Sequence, residues 1–122
     1  ETLPVGDGGL DAAMMFLVLH HVADPARCVA EAFRALKPGG RLIVVDMLPH
    51  DRDEYRSQMG HIWLGFAEAD LHRMLRECGL DHICVLPLPA DPKAKGPALF
   101  TARAVKPAAG QRRTRPAARR TR

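Results

Sequence analysis

The sequence predicts an α/β fold built on a parallel β-sheet, and three observations support that prediction. Residues 11–19, DAAMMFLVL, are nearly all apolar, as is typical of a strand that is buried on both faces of a parallel sheet. A helical pattern follows from Pro25, and residues 36–46, LKPGGRLIVVD, end that helix and begin a second apolar strand. A strand, a helix and a strand joined by short connections indicate a βαβ unit.

The first helix has a clear beginning and end in the sequence. Asp24 occupies the position of an N-cap and Pro25 that of the first helical residue, where these residue types are favoured. An apolar stripe at helical spacing follows, formed by Ala26, Val29, Ala30, Phe33 and Leu36. The Pro-Gly-Gly turn at residues 38–40 predicts the end of this helix, and residues 42–45 are predicted to form the next buried strand.

Two more helices and two more strands are predicted in the remainder of the chain. Residues 51 to about 60 are predicted to form one helix. Residues 68–78 form a clearer one, because their apolar side chains recur at i, i+3, i+4 and i+7 and Gly79 follows as a stop. Residues 83–86 and 99–105 are predicted to pair as a closing antiparallel hairpin on either side of a proline-rich loop.

Charge divides the chain into two predicted regions. Seven of the 18 Lys and Arg residues, Lys106 and six arginines, lie in residues 106–122, a segment without an acidic residue. Residues 1–105 therefore carry 11 basic and 14 acidic residues, a net charge of −3. We expect residues 1–105 to form one folded unit and the low-complexity residues 106–122 to form a disordered basic tail.

Several classes of protein are disfavoured by the composition. The longest apolar run, residues 10–19, has ten residues and includes Asp11, whereas a membrane helix needs roughly 20. The first residues have no basic start and no apolar core of the signal-peptide type. Three cysteines without a CxxC pair argue against a disulfide framework. These features predict a cytoplasmic protein without a membrane partner.

The order of the motifs resembles the C-terminal half of class I S-adenosylmethionine-dependent methyltransferases. The stretches that carry the resemblance are LPVGDGGLDAAMMFLVLHHVADP and ALKPGGRLIVVD, which are similar to the fourth and fifth strand regions of that family. The next stretch, LPHDRDEYRSQMGHIWLGFAEADLHRMLRECGL, resembles methyltransferase domains that follow an ArsR-type winged-helix module. The resemblance covers about residues 1–105. It implies a Rossmann-like sheet, truncated at its N-terminal side and ending in an antiparallel hairpin, with S-adenosylmethionine as the cofactor.

Two motifs of that family are absent from this sequence. In the family, a glycine-rich loop after the first strand receives the methionine part of the cofactor, and an acid after the second strand holds the ribose hydroxyls. The glycines at residues 6–9 precede a predicted strand instead of following one, so we interpret them as a surface turn. The main cofactor anchor of the family is therefore not present in these residues.

Ligands of doubly wound sheets lie beyond the carboxyl ends of the strands. The resemblance implies that Leu17, Val18, Leu19 and His20 form the wall at the methyl end of the cofactor. His20 or His21 is a candidate general base, because an imidazole can accept a proton at physiological pH. The alternative is that one histidine caps the strand while the other packs or faces solvent.

The resemblance also implies a substrate pocket near Asp46, His61, Trp63 and Phe66. For Asp46 the alternative is that it caps the turn after its strand. For Trp63 and Phe66 the alternative is that they anchor their loop to the core. The histidines and acids of the two loops are of metal-binding type but come from separate loops without a ligand spacing, so no metal site is predicted.

The function implied by the resemblance is methyl transfer to a small-molecule acceptor by a longer protein that includes this chain. The alternatives are the ligand-sensing part of an ArsR-type transcriptional regulator and a non-catalytic fragment that lacks the cofactor-binding glycine loop. Two further contacts are expected. The basic tail, residues 106–122, is a candidate for weak nucleic-acid binding through phosphates, and the first strand lacks a neighbour on one side, which predicts self-association through an exposed sheet edge.

Overall fold

The computed structural model describes residues 2–58, 62–89, 93 and 96–108. Four strands and three helices follow one another in the order β1 (Leu10–Phe16), α1 (Pro25–Ala35), β2 (Leu36–Met47), α2 (Glu54–Gln58), α3 (Glu68–Cys78), β3 (Asp81–Pro87) and β4 (Leu99–Val105), with a 3₁₀ turn at Leu19–His21 between β1 and α1. None of the helices in the described part of the chain has the length and the apolar character that crossing a bilayer requires.

The four strands form one mixed sheet in the order β1-β2-β4-β3. β1 and β2 are parallel, with Met14 beside Ile43 and Phe16 beside Val45. β4 is antiparallel to both β2 and β3. The predicted βαβ unit and closing hairpin are therefore confirmed, and together they give an open, Rossmann-like α/β sheet.

Local signals in the sequence explain where the two long helices begin and end. The Asp24 carboxylate accepts a hydrogen bond from the Arg27 amide (3.1 Å) at the start of α1, and Pro25 is the first helical residue, as predicted. Gly79 ends α3 with a left-handed backbone (φ 110°), a conformation that glycine adopts without steric cost. These local signals set the start of α1 and the end of α3.

The core lies on one face of the sheet only. Helices α1 and α3 contribute Val29, Ala32, Leu71 and Leu75 to a cluster that also contains the strand residues Leu42, Val44, Ala102 and Ala104. On the opposite face, Met14 and Phe16 of β1 and Leu86 of β3 are 65%, 59% and 51% exposed. Within the described residues, no helix covers that second face.

The first strand differs from the prediction in its length and its burial. It spans Leu10–Phe16 and not residues 11–19, because Leu17 turns out of the strand with a positive φ of 57°. The expectation of burial on both faces is also wrong, since Met15 alone is buried among the seven strand residues. β1 lies at an edge of the described sheet, so the expected unpaired edge is confirmed for the residues that the structure describes.

Other boundaries differ by a few residues. β2 begins at Leu36 and therefore includes the Pro-Gly-Gly turn, which was predicted to precede the strand. The helix expected from residue 51 begins at Glu54, and residues 59 and 60 lie outside the described residues. The strand expected at residues 83–86 extends over Asp81–Pro87.

The folded unit extends at least one residue beyond the predicted boundary at residue 105. The Lys106 amine donates hydrogen bonds to the backbone oxygens of Phe33 (2.8 Å) and Leu36 (2.9 Å) at the end of α1. It also lies 4.5 Å from the centre of the Phe33 ring. A cation at a helix C-terminus satisfies carbonyls that have no partner within the helix, so Lys106 is part of the fold. Residues 109–122 lie outside the described residues, and their expected disorder stays a prediction.

Candidate functional site

The candidate site lies at the carboxyl ends of the parallel strands β1 and β2. Leu17 leaves β1 with a left-handed backbone while its amide still donates to the Val45 oxygen (2.8 Å). A left-handed conformation is unfavourable for a branched side chain and is often found at functional sites. This turn brings four residues with predicted roles to one end of the sheet, namely Val18, Leu19, His20 and His21.

Those four residues have different surroundings. Val18 is 40% exposed, whereas Leu19 is fully buried in the hydrophobic core. The His20 side chain is buried and that of His21 is exposed, and their ring centres are 4.2 Å apart. Val18 and His21 therefore face outward at the end of the strand, while Leu19 and His20 pack inward.

His20 is held by Asp46, the residue predicted for the substrate pocket at the end of β2. His20 Nδ1 lies 2.7 Å from Asp46 Oδ1, and both side chains are at least 98% buried. The same carboxylate oxygen accepts a hydrogen bond from the Met47 amide (2.8 Å). Asp46 Oδ2 is buried without a hydrogen-bond partner. The pair links the carboxyl ends of β1 and β2.

Residues 62–66 lie across both strand ends and form the roof of the site. The amides of Ile62 and Trp63 donate to the His20 carbonyl oxygen (2.8 and 3.1 Å), and the Phe66 amide donates to the Met47 carbonyl oxygen (2.8 Å). The Trp63 indole N–H donates to the Val22 carbonyl oxygen (2.9 Å). These bonds hold the segment against the turn that follows β1.

The two aromatic residues of this roof are anchored in different ways. Phe66 is buried in the core, and Trp63 is 40% exposed with its indole nitrogen paired. This geometry favours the alternative in which both side chains attach the loop to the body. His61, which was also predicted for the substrate pocket, lies outside the described residues.

A cavity of about 720 Å³ opens between β1, α1 and this roof. Most of its lining is apolar, and it includes Val18, His21, Val22 and Ile62 at the carboxyl end of β1. Ala13, Met15, Cys28 and Ala32 line the part between β1 and α1. Of the residues predicted for the cofactor wall or for catalysis, two line this cavity, Val18 and His21. The cavity is not lined by Leu17, Leu19, His20 or Asp46.

His50 belongs to the same end of the sheet, although no role was predicted for it beyond the rejected metal site. Its amide donates to the Leu64 carbonyl oxygen (3.2 Å), and its Nδ1 accepts from the Arg52 amide (3.2 Å). Its Nε2 is buried without a hydrogen-bond partner. Burial lowers the pKa of His50, with a smaller contribution from the Arg52 charge. His50 follows Asp46 by four residues in the chain. This short separation from the end of β2 was the one signal in the sequence that could have placed His50 near the site.

The described residues suit the methyl end of the cofactor implied by the resemblance, but not its methionine part. The apolar wall formed by Val18, Val22 and Ile62 suits a sulfonium methyl group that must be kept away from water. In the described residues, however, no strand is followed by a glycine-rich loop. Gly8 donates its amide to the Arg34 oxygen at 2.9 Å, which makes the glycines of residues 6–9 a surface turn against α1. Among the described residues, no group of three or more His, Cys, Asp and Glu side chains is placed to hold a metal ion.

Comparison with known proteins shows which family the chain resembles. The model of the methyltransferase domain family matches residues 1–44. A SAM-dependent methyltransferase from Thermotoga maritima is similar over 86% of this chain and 60% of its own, with a TM-score of 0.64 and 26% sequence identity. These similarities support the predicted resemblance to class I S-adenosylmethionine-dependent methyltransferases. The cofactor of this family is S-adenosylmethionine.

Curated relatives of this chain are similar over short regions. An uncharacterized 37.1 kDa protein in a transposon of Streptomyces fradiae is 58% identical over 44 residues, which are 36% of this chain and 13% of that protein. A ubiquinone/menaquinone biosynthesis C-methyltransferase from Proteus mirabilis is 28% identical over 68% of this chain and 43% of its own length. The chain therefore spans less than half of either relative.

A phosphoethanolamine N-methyltransferase of Haemonchus contortus shows the fold alone. Its structure is similar over 84% of this chain and 35% of its own, with a TM-score of 0.69 and 16% identity. These comparisons confirm the predicted fold class and support the predicted family. The relation to ArsR-type regulators and the roles of individual site residues stay predictions.

Proposed function

We propose that this protein transfers a methyl group from S-adenosylmethionine to a small-molecule acceptor, as part of a polypeptide that is longer than 122 residues. The observation that supports this proposal best is the turn after β1. Its left-handed residue Leu17 brings Val18 and His21 to an apolar cavity at the carboxyl end of a parallel pair of strands. Ligands of open α/β sheets bind at that end of the strands.

His21 is the better candidate for a proton acceptor. Its side chain is exposed and lines the cavity, whereas His20 is buried and bonded to Asp46. A neutral imidazole accepts a proton from an acceptor hydroxyl or amine as the new bond to the methyl carbon forms. The cofactor, when bound, supplies the methyl group. Val18, Val22 and Ile62 exclude water from the reacting atoms, and His21 takes up the proton that leaves the acceptor.

The test requires a glycine-rich cofactor loop, which the described residues do not contain. A chimera can supply it, with the segment that precedes the matched region of the Streptomyces relative fused ahead of Glu1. The chimera is incubated with methyl-labelled S-adenosylmethionine and fractions of a bacterial small-molecule extract, and labelled product is measured. Label in a small molecule supports the proposal, whereas no transfer to any fraction by a chimera that binds the cofactor contradicts it.

The role of His21 is tested in the same assay once an acceptor is found. Replacing His21 by Ala should lower turnover about 10²–10⁴-fold, which is the usual contribution of a general base, with little change in cofactor affinity. His72→Ala on α3 is the matched control, because it removes a histidine that does not line the cavity. Near-normal turnover of His21→Ala would leave alignment of the reactants as the source of catalysis.

A further inference from the structure

Asp46 is a fully buried acid that the proposed reaction does not use directly, because it does not line the cavity. Its two hydrogen bonds converge on one oxygen. Oδ1 accepts from the Met47 amide at 2.8 Å and pairs with His20 Nδ1 at 2.7 Å, while Oδ2 has no partner among the described residues. The bond to the neighbouring amide fixes the carboxylate and directs Oδ1 at the His20 ring.

This contact determines which ring nitrogen of His20 carries the proton. An ionised carboxylate oxygen only accepts hydrogen bonds, so Nδ1 must be the donor and must carry a hydrogen. In a neutral ring, Nε2 is then the accepting nitrogen. The His20 side chain is 2% exposed, so the buried contact with Asp46, and not bulk water, favours a proton on Nδ1.

The same residue, His20, supports the roof of the cavity through its backbone. Its carbonyl oxygen accepts the amides of both Ile62 and Trp63, and the Trp63 indole bonds to Val22, two residues further along the same turn. The Ile62 side chain lines the cavity beside Val18 and His21. A displacement of His20 therefore moves a wall of the proposed active site.

We propose that Asp46 is a positioning residue, which holds His20 in the Nδ1–H tautomer and thereby fixes Ile62 against the methyl-transfer cavity. This inference rests on the proposed function, since the wall has meaning only if the cavity is the active site. Asp46 acts through His20 and has no contact with the substrate. Asp46 lies at the end of β2, and His20 lies in the turn after β1. Strand β2 therefore sets the geometry of the turn that follows β1.

The tautomer of His20 can be measured directly, and it would not change if Asp46 only filled space in the core. Long-range proton–nitrogen correlation spectra of the full chain, recorded at a pH where the ring is neutral, distinguish Nδ1–H from Nε2–H. The wild type should show Nδ1–H. Asp46→Asn keeps an accepting oxygen and should keep this tautomer, whereas Asp46→Leu removes the acceptor and should shift the proton to Nε2. A wild-type ring protonated on Nε2, or an unchanged tautomer in Asp46→Leu, would overturn the proposal.

Hydrogen exchange measured by mass spectrometry tests the roof, with all variants compared at the same protein concentration. Asp46→Leu should speed exchange of the Ile62 and Trp63 amides on the order of tenfold, and Asp46→Asn should leave it close to wild type. The matched control is Asp53→Leu, which replaces an acid whose side chain is 83% exposed. Unchanged exchange at residues 62 and 63 in Asp46→Leu would contradict the link through His20.

Kinetics of the active chimera complete the test. Asp46→Leu should lower kcat/KM roughly 10–100-fold, as expected when reacting groups are misplaced by about 1 Å, with unchanged affinity for S-adenosylmethionine. Wild-type kinetics in Asp46→Leu would refute the positioning role while leaving the proposed function intact. Absence of methyl transfer in the wild type, together with the expected tautomer and exchange changes, would refute the proposed function and leave the His20–Asp46 linkage standing.

Discussion

At the scale of single residues, the ends of β1 and β2 contain imidazoles and a carboxylate in environments that differ sharply. His20 and Asp46 share a buried hydrogen bond, and His21 faces the cavity. His50 uses Nδ1 to accept the Arg52 amide while its Nε2 is buried and unpaired. Because only a neutral ring can accept at Nδ1, the local structure around His50 depends on its protonation state.

His50 should make the stability of the protein depend on pH. Burial lowers its pKa below the ordinary value of 6.5, so the unfolded chain binds more protons than the folded chain when the pH falls through that value. The stability that the neutral ring contributes is therefore present above 6.5 and is lost as the pH falls toward the lowered pKa. His50→Asn keeps an acceptor for the Arg52 amide without titrating. Its unfolding free energy, measured by urea denaturation, should depend less on pH than that of the wild type between about pH 7 and pH 5.

The control for this measurement is His72→Asn on α3, which should retain the pH dependence of the wild type. Equal pH dependence in wild type and His50→Asn would mean that His50 titrates alike in the folded and unfolded states.

Gly65 is a second residue on which the roof depends. Its φ is +89°, and a Cβ atom at this position would lie 2.2 Å from the Leu48 carbonyl oxygen. Gly65→Ala therefore combines a backbone conformation that costs on the order of 1–3 kcal/mol with a clash against main-chain atoms. We expect a lower unfolding free energy and faster exchange of the Phe66 amide, which bonds to Met47.

Gly96→Ala is the matched control for Gly65, because a Cβ at residue 96 would meet nothing within 4 Å. Denaturant titration of the two variants compares them directly. A Gly65→Ala variant as stable as Gly96→Ala would show that the loop moves away from Leu48 at little cost.

At the scale of elements, the two edges of the sheet differ. β1 presents Met14 and Phe16, 65% and 59% exposed, and has no lysine or proline within Leu10–Phe16. β3, at the other edge, ends in Pro87. A proline at an edge strand prevents edge-to-edge association, so β1 is the edge that is more open to pairing.

The 122-residue chain should therefore self-associate through β1. Unpaired backbone donors and acceptors beside exposed apolar side chains form a template for another strand. The double variant Met14→Lys, Phe16→Lys places charges at that edge and should lower the apparent mass in size-exclusion chromatography with light scattering. Near-ultraviolet circular dichroism of the same samples reports whether the core keeps its packing.

Leu86→Lys is the control for the edge variants, because it adds a lysine on the same face at β3 and should leave association unchanged. A monodisperse wild-type monomer with a cooperative unfolding transition would contradict the prediction that β1 is an open edge.

At the scale of the whole molecule, the chain contains one side of the proposed methyl-transfer site. It spans 60% of the Thermotoga methyltransferase chain and smaller shares of the curated relatives described above. Within the described residues, no strand leads into a glycine-rich loop. The apolar wall formed by Val18 and Ile62 therefore lines a proposed cofactor position that lacks the family's main anchor. Residues 1–105 carry a net negative charge and residues 106–122 a positive one. Nucleic-acid binding by residues 106–122 stays a prediction.

The isolated chain should bind S-adenosylmethionine weakly or not at all. The apolar wall contributes contact with the methyl end, but the ribose and methionine parts need a carboxylate and close backbone approach. Isothermal titration calorimetry compares the 122-residue chain with the chimera, which should bind. Micromolar affinity of the isolated chain would mean that the described residues contain an anchor other than a glycine loop.

The sequence by itself determined the order and the type of the main elements. Helix α3 was predicted at its observed bounds and β4 likewise, and the capped start of α1 at Asp24 was found where it was expected. These features depend on signals within a few residues of one another, namely apolar periodicity, a capping side chain and a glycine stop. The family could also be predicted, because its motifs are short and contiguous.

The tertiary structure alone decided which site residues meet and which of them reach the cavity. His20 and Asp46 are 26 residues apart in the chain, and no local pattern states that one imidazole turns inward to that carboxylate while the next faces outward. The early end of β1 at Leu17 and the exposure of one sheet face have the same origin. Burial and hydrogen bonding between distant segments are set by how the elements pack, and that packing is not written in the periodicity of any one segment.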